Sequence, residues 1–412
     1  MTQHVDCLVL GGGPAGSTAA ALVAEGGYRT LLVERDRMPR FHIGESLMPE
    51  TYWTFKRLGI LDQMKASNFV KKLSVQFVSH SGRESQPFFF DEHDPRECSQ
   101  TWQVLRSDFD QMLLDTAAEK GAECREGTRV VDVLFDGDRA VGATIQTDNG
   151  PLEEITADVV VDASGQSALV ARNLGLLLPN PELRKASIWG YYEGAKRDAG
   201  KNGGATVIIQ SGNRKAWFWC IPLADDITSI GVVADSDYLL RDRGTPEQVF
   251  EEELTHCPAV LERMVAARLA SKFRVAREFS YSTSQSAGDG WVLVGDSWGF
   301  IDPIYSSGVY FGLKSGEMAA DAIVEGLSVG DTSAKQLGRW LDDFTGGVKW
   351  ISKLVDAYYT DGFSFGQFMK AHPEHRGNLT DLLIGRIFHK EAGAIFADMD
   401  PWLTRASAVS DV

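Results

Sequence analysis

Residues 5–34 read VDCLVLGGGPAGSTAAALVAEGGYRTLLVE. The run VDCLVL has the length and apolarity of a buried strand, GGGPAG is a turn, STAAALVAEGG is a helix and TLLVE is a second strand. A helix that connects two neighbouring strands lets them run parallel, so the stretch is a βαβ unit and the chain an α/β protein. Gly11, Gly13 and Gly16 form G-x-G-x-x-G at the strand-to-helix turn, and Glu34 closes the second strand about 20 residues later, where a ribose hydroxyl needs an acceptor. Glycines here let the backbone approach a pyrophosphate, and Pro14 suits the first helical turn, whose free N–H groups and positive dipole end favour that anion. The expectation is a doubly wound dinucleotide-binding domain. The segment Cys7 to Ala24 is uncharged, yet it is no membrane span, because consecutive glycines and a proline interrupt any helix through it.

Outward from this unit, ADVVVDASG (157–165) and GWVLVGDS (290–297) are again short apolar runs that end in Gly, Asp or Ser, as strands delivering loops to a ligand should. Between them the pattern changes. SIWGYYEG (187–194), ATVIIQSG (205–212), AWFWCIP (216–222) and TSIGVVAD (228–235) are extended segments separated by turn residues, which predicts an antiparallel sheet. From Gly308 the chain turns helical, with Leu313, Gly316, Ala320, Ile323 and Leu327 on one face. The expected organisation is a dinucleotide-binding domain in 1–185 and 275–330, an antiparallel-sheet substrate domain in 186–274 to which 68–103 contributes, and a helical C-terminal region in 331–412.

With 412 residues, 43% of them hydrophobic and 24% charged, the chain has the composition of an ordinary globular protein of two or three packed units. A formal net charge of −16 argues against general binding to nucleic acids or acidic lipids. Its 5 cysteines show neither a CxxC pair nor metal-ligand spacing, which fits a reducing, cytoplasmic compartment and predicts no metal site. No basic segment followed by an apolar run and a cleavage site is evident, so a secretory signal is not expected.

Two further features extend the dinucleotide reading. VLRSDFDQMLLDTAAEKGA (104–122) places Arg106 just before a helix that Ser107 or Asp108 would cap, and VGDS (294–297) sets Asp296 at the mouth of a strand, within reach of a polyol. In this order the three pieces resemble the FAD-binding flavoproteins related to p-hydroxybenzoate hydroxylase, over most of residues 1–330. The resemblance implies FAD as the dinucleotide. It further implies that Gly11, Gly13, Pro14, Ala15, Gly16, Glu34, Arg40, Gly44, Glu45, Ser46, Arg106, Asp296, Pro303 and Gly308 hold it.

Two more stretches narrow the match. WFWCIP fits W-x-W-x-I-P through Trp217, Trp219, Ile221 and Pro222, and FIDPIYSSG fits F-x-x-P-x-x-S-x-G through Phe300, Pro303, Ser306 and Gly308. Both are signatures of flavin-dependent halogenases, which the chain resembles. In an extended strand Trp217, Trp219 and Ile221 share one face, and the resemblance assigns that face to keeping organic substrate away from the flavin. The backbone N–H groups of the Ser306–Gly308 turn suit a small anion, so Ser307 and Gly308 are the expected halide ligands.

The resemblance also implies a catalytic lysine, and FVKKLSVQF (69–77) places Lys72 in its register. Alternation sends Lys71 with Leu73, Val75 and Phe77 to one face and Lys72 with Ser74 and Gln76 to the other, so only one of the two lysines can enter a given cavity. Ser74 stands where relatives often have glycine. Tyr305 stands where tryptophan halogenases carry a glutamate, which points away from tryptophan and toward phenols or pyrroles, taken by some relatives as thioesters on a carrier protein. The implied reaction uses FADH2 from a separate flavin reductase, O2 and chloride or bromide, with hypohalous acid passing from the halide site to Lys72. A flavin monooxygenase or geranylgeranyl-reductase-like enzyme on the same scaffold, and a non-catalytic flavin- or carrier-binding protein, are the alternative functions.

Overall fold

In the computed structural model, which describes residues 3–389 and 391–410, the chain opens with strand β1 (Gln3–Leu10), helix α1 (Pro14–Glu25) and strand β2 (Thr30–Val33). Met1, Thr2, Lys390, Asp411 and Val412, which fall in the expected ranges 1–185 and 331–412, lie outside the described residues. Helix α1 is built of small apolar residues and is buried along most of its length, from Ala15 to Val23, because it is packed on several sides instead of floating on the sheet. Next come β3 (Val70–Lys72), β4 (Ser74–Val78), β5 (Thr101–Gln103), helix α2 (Arg106–Glu119), β6 (Glu123–Arg125) and β7 (Leu152–Asp162). The second half contains β8 (Leu177–Glu193), β9 (Thr206–Gln210), β10 (Ala216–Pro222), β11 (Ile227–Asp235), β12 (Arg274–Thr283) and β13 (Trp291–Leu293). Two long helices follow, α3 (Gly308–Val329) and α4 (Leu341–Tyr359).

The first sheet has the parallel order β13-β7-β1-β2-β6, with Cys7 of β1 facing Val159 of β7 on one side and Thr30 of β2 on the other. β13, β2, the end of β7 and most of β1 are buried on both faces, which is why their sequences are nearly continuous apolar runs. A hairpin of strands Thr128–Asp136 and Arg139–Thr147 adds to it through antiparallel pairing with β7. Gly316 of α3 lets that helix meet α1, since a Cβ there would collide with the Ala15 carbonyl oxygen. Helices Phe365–Ala371, Arg376–Ile384 and Phe396–Ser410 complete the C-terminal region. No helix among the described residues is long and apolar enough to cross a membrane.

The second sheet runs β8-β11-β10-β9-β4, with β12 pairing antiparallel to the outer side of β8. It is antiparallel as expected from β8 to β9, but β4 joins β9 in parallel. That strand arrives from the first half of the chain by a long crossover, which places no constraint on its direction. The expected single strand over 69–77 is also two. β3 pairs with β5 in a separate two-stranded sheet, and the chain passes through Leu73 into β4. Alternation along β10 divides the core: Trp217, Trp219 and Ile221 face the large cluster shared with the first sheet and α4, while Phe218 and Cys220 face a second cluster against residues 239–260.

Candidate functional site

The turn after β1 is shaped by sterics. Gly11 has φ +113°, and a Cβ on it would lie 2.5 Å from the Ala163 carbonyl oxygen, so neither its conformation nor its space admits a side chain. Gly13, by contrast, faces a cleft: an added Cβ would meet only Arg40 Nη2, at 3.6 Å. Pro14 then opens α1. The Gly12 N–H donates to Glu34 Oε2 at 2.8 Å and the Asp36 N–H to Glu34 Oε1 at 3.0 Å, so the acidic residue just after β2, expected as an acceptor for a ribose hydroxyl, also ties down the glycine loop.

Behind the loop lies a group that sequence reasoning missed. Asp110, fully buried, accepts Arg106 Nε at 2.7 Å and Arg106 Nη2 at 2.9 Å, and also Arg40 Nη1 at 2.9 Å. One carboxylate thus aims two guanidiniums along the cleft wall. Arg106 does not precede α2 but is its first residue, with Leu105 at the cap position and Ser107 Oγ donating to Asp108 instead of capping. The i, i+4 spacing of Arg106 and Asp110 was the signal available.

The cleft encloses about 360 Å³ and runs from this loop between the two sheets. Of the expected cofactor residues, Gly11, Gly13, Pro14, Ala15, Glu34, Arg40, Gly44, Glu45, Ser46, Arg106, Asp296, Pro303 and Gly308 line it; Gly16 does not, being packed against Gly11 and Ala163. Burial lifts the carboxyls of Asp296 and Asp302 to about 6. Glu45 is lifted to about 7, chiefly by burial, although Tyr191 Oη donates to its Oε1 at 2.5 Å.

At the far end of the cleft, Ser306 sits on the wall in the left-handed region at φ +59°, while Ser307 is buried behind it. Ser307 occupies the cap position of α3, but its hydroxyl caps no helical N–H. Nothing lies within 4 Å of a Cβ added at Gly308, the first residue of this long helix, which therefore leaves free space beside the wall.

The tryptophan strand forms the opposing wall. Trp217, Trp219 and Ile221 line the cleft and Pro222 lies beyond it. Trp219 Nε1 donates to Ser229 Oγ at 3.0 Å, and its ring lies across β11 where a Cβ on Gly231 would collide with the indole. Trp217 Nε1 donates to Tyr359 Oη at 2.9 Å, and Tyr359 Oη donates to Asp302 Oδ2 at 3.1 Å. Tyr305, the position of interest for tryptophan, is buried and donates to the Leu354 carbonyl at 3.2 Å.

Lys72 is buried, only 3% exposed, whereas Lys71 is exposed. Lys72 does not line the cleft; it sits behind Ser46, which does. Its Nζ donates to Ser46 Oγ and to the Leu47 carbonyl, both at 2.9 Å, and Ser46 in turn meets Thr206 Oγ1 at 2.7 Å. Both of these hydrogen-bond partners are neutral, and burial pulls the amine down to about 7. Beyond Leu73 the alternation persists, since Ser74 Oγ and Gln76 Oε1 both bond Asn202 while Phe77 packs on Tyr305.

These residues fit FAD. Open space at Gly13 and Gly308, the guanidiniums of buried Arg106 and partly buried Arg40, and the Glu34 carboxylate are the features a dinucleotide of two phosphates and a ribose requires. A family model of the FAD binding domain matches residues 4–314. The chain is 30% identical over 411 residues to a 1H-pyrrole-2-carbonyl-(peptidyl-carrier protein) chlorinase of Pseudomonas fluorescens, covering 94% of this chain and 91% of that protein. It is 31% identical over 392 residues to the corresponding brominase of Pseudoalteromonas luteoviolacea, covering 94% of each. Among solved structures, a flavin-dependent brominase superposes with a TM-score of 0.88 at 30% identity, covering 98% of this chain and 100% of that one.

Proposed function

The chain belongs to the flavin-dependent halogenases, and on that premise we propose that it chlorinates or brominates a pyrrole held as a thioester on a carrier protein, with Lys72 as the catalytic amine and a separate reductase as the source of reduced flavin. The observation that carries this reading is the setting of Lys72. An ammonium has three hydrogens; two are spent on Ser46 and Leu47, and beyond them the amine only overlooks the Phe90 ring, 5.9 Å from its centre, so the third hydrogen, or the lone pair once the proton is lost, makes no hydrogen bond. An amine brought near 7 by burial populates both forms at neutral pH, and can either donate to the oxygen of hypohalous acid or accept its halogen.

Bound reduced FAD, with O2, supplies the oxidising equivalents that turn halide into an electrophilic halogen. The remaining work belongs to the chain. Arg40 and Arg106, aimed by Asp110, and the N–H groups after Gly13 hold the diphosphate. The amide at Gly308, beside Ser306 on the cleft wall, holds the halide. Trp217, Trp219 and Ile221 occupy the space through which an organic ring would otherwise reach the flavin, and Ser46 is the polar group between the cleft and Lys72. The pyrrole reading draws on the names of the two full-length relatives and on Tyr305. With its hydroxyl committed to Leu354, Tyr305 offers no carboxylate for proton transfer, so the ring must be electron-rich enough to react without one.

The test supplies chemically reduced FAD, O2 and either chloride or bromide, with pyrrole-2-carbonyl thioester on a carrier protein, free pyrrole-2-carboxylate and simple phenols in parallel. Halogenated carrier-bound product by mass spectrometry is expected. Halogenated phenol alone would overturn the carrier-bound pyrrole reading, and oxygenated products lacking halogen would favour a monooxygenase. Turnover with NADH and the protein alone would remove the need for a separate reductase.

A further inference from the structure

The chain carries a formal net charge of −16, yet its ligand brings a diphosphate. The cations inside the cleft are already committed, since Arg40 and Arg106 share Asp110. Uncommitted positive charge lies at the mouth. From Arg263 to Arg277 the chain has Arg263, Arg268, Lys272, Arg274 and Arg277 and no Asp or Glu. Arg263 is buried against Asp198, and Arg268 pairs with Glu193. Lys272, Arg274 and Arg277 are exposed, and none of the three makes an ion pair among the described residues.

Lys272 and Arg274 lie just before and at the start of β12, the outer strand of the second sheet, and Arg274 meets the cleft through Phe41, whereas Arg277, three positions further on and paired with Ala186, turns to the other face of the sheet. The Arg274 guanidinium stands 3.4 Å from the centre of the Phe41 ring; Phe41 lines the cleft and stacks on Trp189, with ring centres 6.3 Å apart. The charge of Arg274 also reaches Glu45 inside, where it opposes the upward push of burial. At about 3.4 Å per strand residue, Lys272 to Arg274 spans roughly 7 Å, so both cations are within about one Debye length of the entrance at about 0.1 M salt.

We infer that Lys272 and Arg274 form a capture lip that draws the diphosphate of reduced FAD out of solution and into the cleft. The inference rests on FAD as the ligand of the cleft and on its arrival as a free molecule from a separate reductase. A dianion approaching this chain is repelled at long range by the net charge, and a local cationic edge at the entrance lowers that barrier without adding a contact in the bound state. The lip therefore acts on the association rate and leaves the dissociation rate alone.

The experiment is stopped-flow quenching of FAD fluorescence on mixing with the apoprotein, at low and at high salt. It compares the wild type, Lys272→Glu, the double variant Lys272→Glu/Arg274→Glu, and a control pair, Lys335→Glu/Lys370→Glu, which imposes the same change in net charge on exposed helical positions. At low salt the double variant should bind about ten-fold more slowly, with Lys272→Glu intermediate, dissociation unchanged, and the gap closing at high salt. The control should stay within about two-fold of wild type. Because Lys272→Glu leaves the Arg274–Phe41 contact in place, it separates charge from any local disturbance. Wild-type association rates in the double variant, a slowing that persists at high salt, or equal slowing in the control would each overturn the lip. A wild-type protein that binds no FAD would instead overturn the cofactor reading beneath it.

Discussion

The indole Nε1 of Trp217 donates to the phenolic oxygen of Tyr359 at 2.9 Å, joining the tryptophan strand to the last residue of α4. Tyr359 passes the bond on to Asp302, whose other oxygen accepts the Ile304 N–H at 2.9 Å. The strand, the loop before α3 and the C-terminal helical region thus share one buried hydrogen-bond chain. Lys185 Nζ caps it, 4.2 Å above the Tyr359 ring. The neighbouring hydroxyl is in the opposite condition, since Tyr358 Oη is buried with no hydrogen-bond partner among the described residues.

Two adjacent Tyr→Phe changes should therefore differ. Tyr359→Phe leaves the Trp217 N–H and an Asp302 oxygen unpaired and should cost about 1–3 kcal/mol, whereas Tyr358→Phe removes an unsatisfied group and should be neutral or slightly stabilising. Urea unfolding of the two variants measures this directly. Equal losses would mean that the Trp217–Tyr359 bond contributes nothing of its own.

Lys72→Ala should abolish halogenated product while leaving FAD binding and FADH2 oxidation nearly intact, because the amine acts after the flavin step. Lys71→Ala, on an exposed side chain, should change little. Lys72→Arg should fail too: a guanidinium keeps its proton at any accessible pH and cannot take up a halogen. Product formation with bromide, followed alongside oxygen uptake, distinguishes these outcomes, and full activity in Lys72→Ala would remove the lysine from the mechanism.

The same lysine makes stability depend on pH. Its amine titrates near its ordinary 10.5 in the unfolded chain and near 7 in the fold, where burial disfavours the charge. Between those values the unfolded chain binds the additional proton, so stability rises with pH across the window by up to about 1.4 kcal/mol per pH unit; below about 7 the penalty is fully present. Wild type should gain on Lys72→Met through this range in urea melts taken at successive pH values. A constant difference would show that the amine keeps its ordinary affinity for protons.

The glycines of the phosphate loop should separate into two kinds. Gly13→Val projects into the open cleft, where its Cβ meets only Arg40 at 3.6 Å, so the fold should persist while FAD affinity drops at least ten-fold, about 1.4 kcal/mol. Gly11→Ala instead confronts φ +113° and the Ala163 carbonyl, and should lower the stability of the protein itself by about 1–3 kcal/mol. Flavin titration and thermal melts of both variants check the division; unchanged FAD affinity in folded Gly13→Val would sink the phosphate-loop assignment.

What could be read from the sequence by itself is what local chemistry determines. The βαβ unit and the roles of Gly11 and Pro14 follow from the steric limits of a single turn. The facing of Trp217, Trp219 and Ile221, and the opposite fates of Lys71 and Lys72, follow from the two-residue period of a strand, even though the strand expected over 69–77 breaks at Leu73. The tertiary structure decided whatever depends on partners distant in the chain: Asp110 gathering Arg40 and Arg106, β4 entering the second sheet in parallel, Ser306 instead of Ser307 on the cleft wall, and Tyr359 reaching Trp217 across 142 positions. No periodicity encodes such meetings. They are set when the two sheets and α4 close on a common core, and a buried donor must then take whichever acceptor the packing brings within reach.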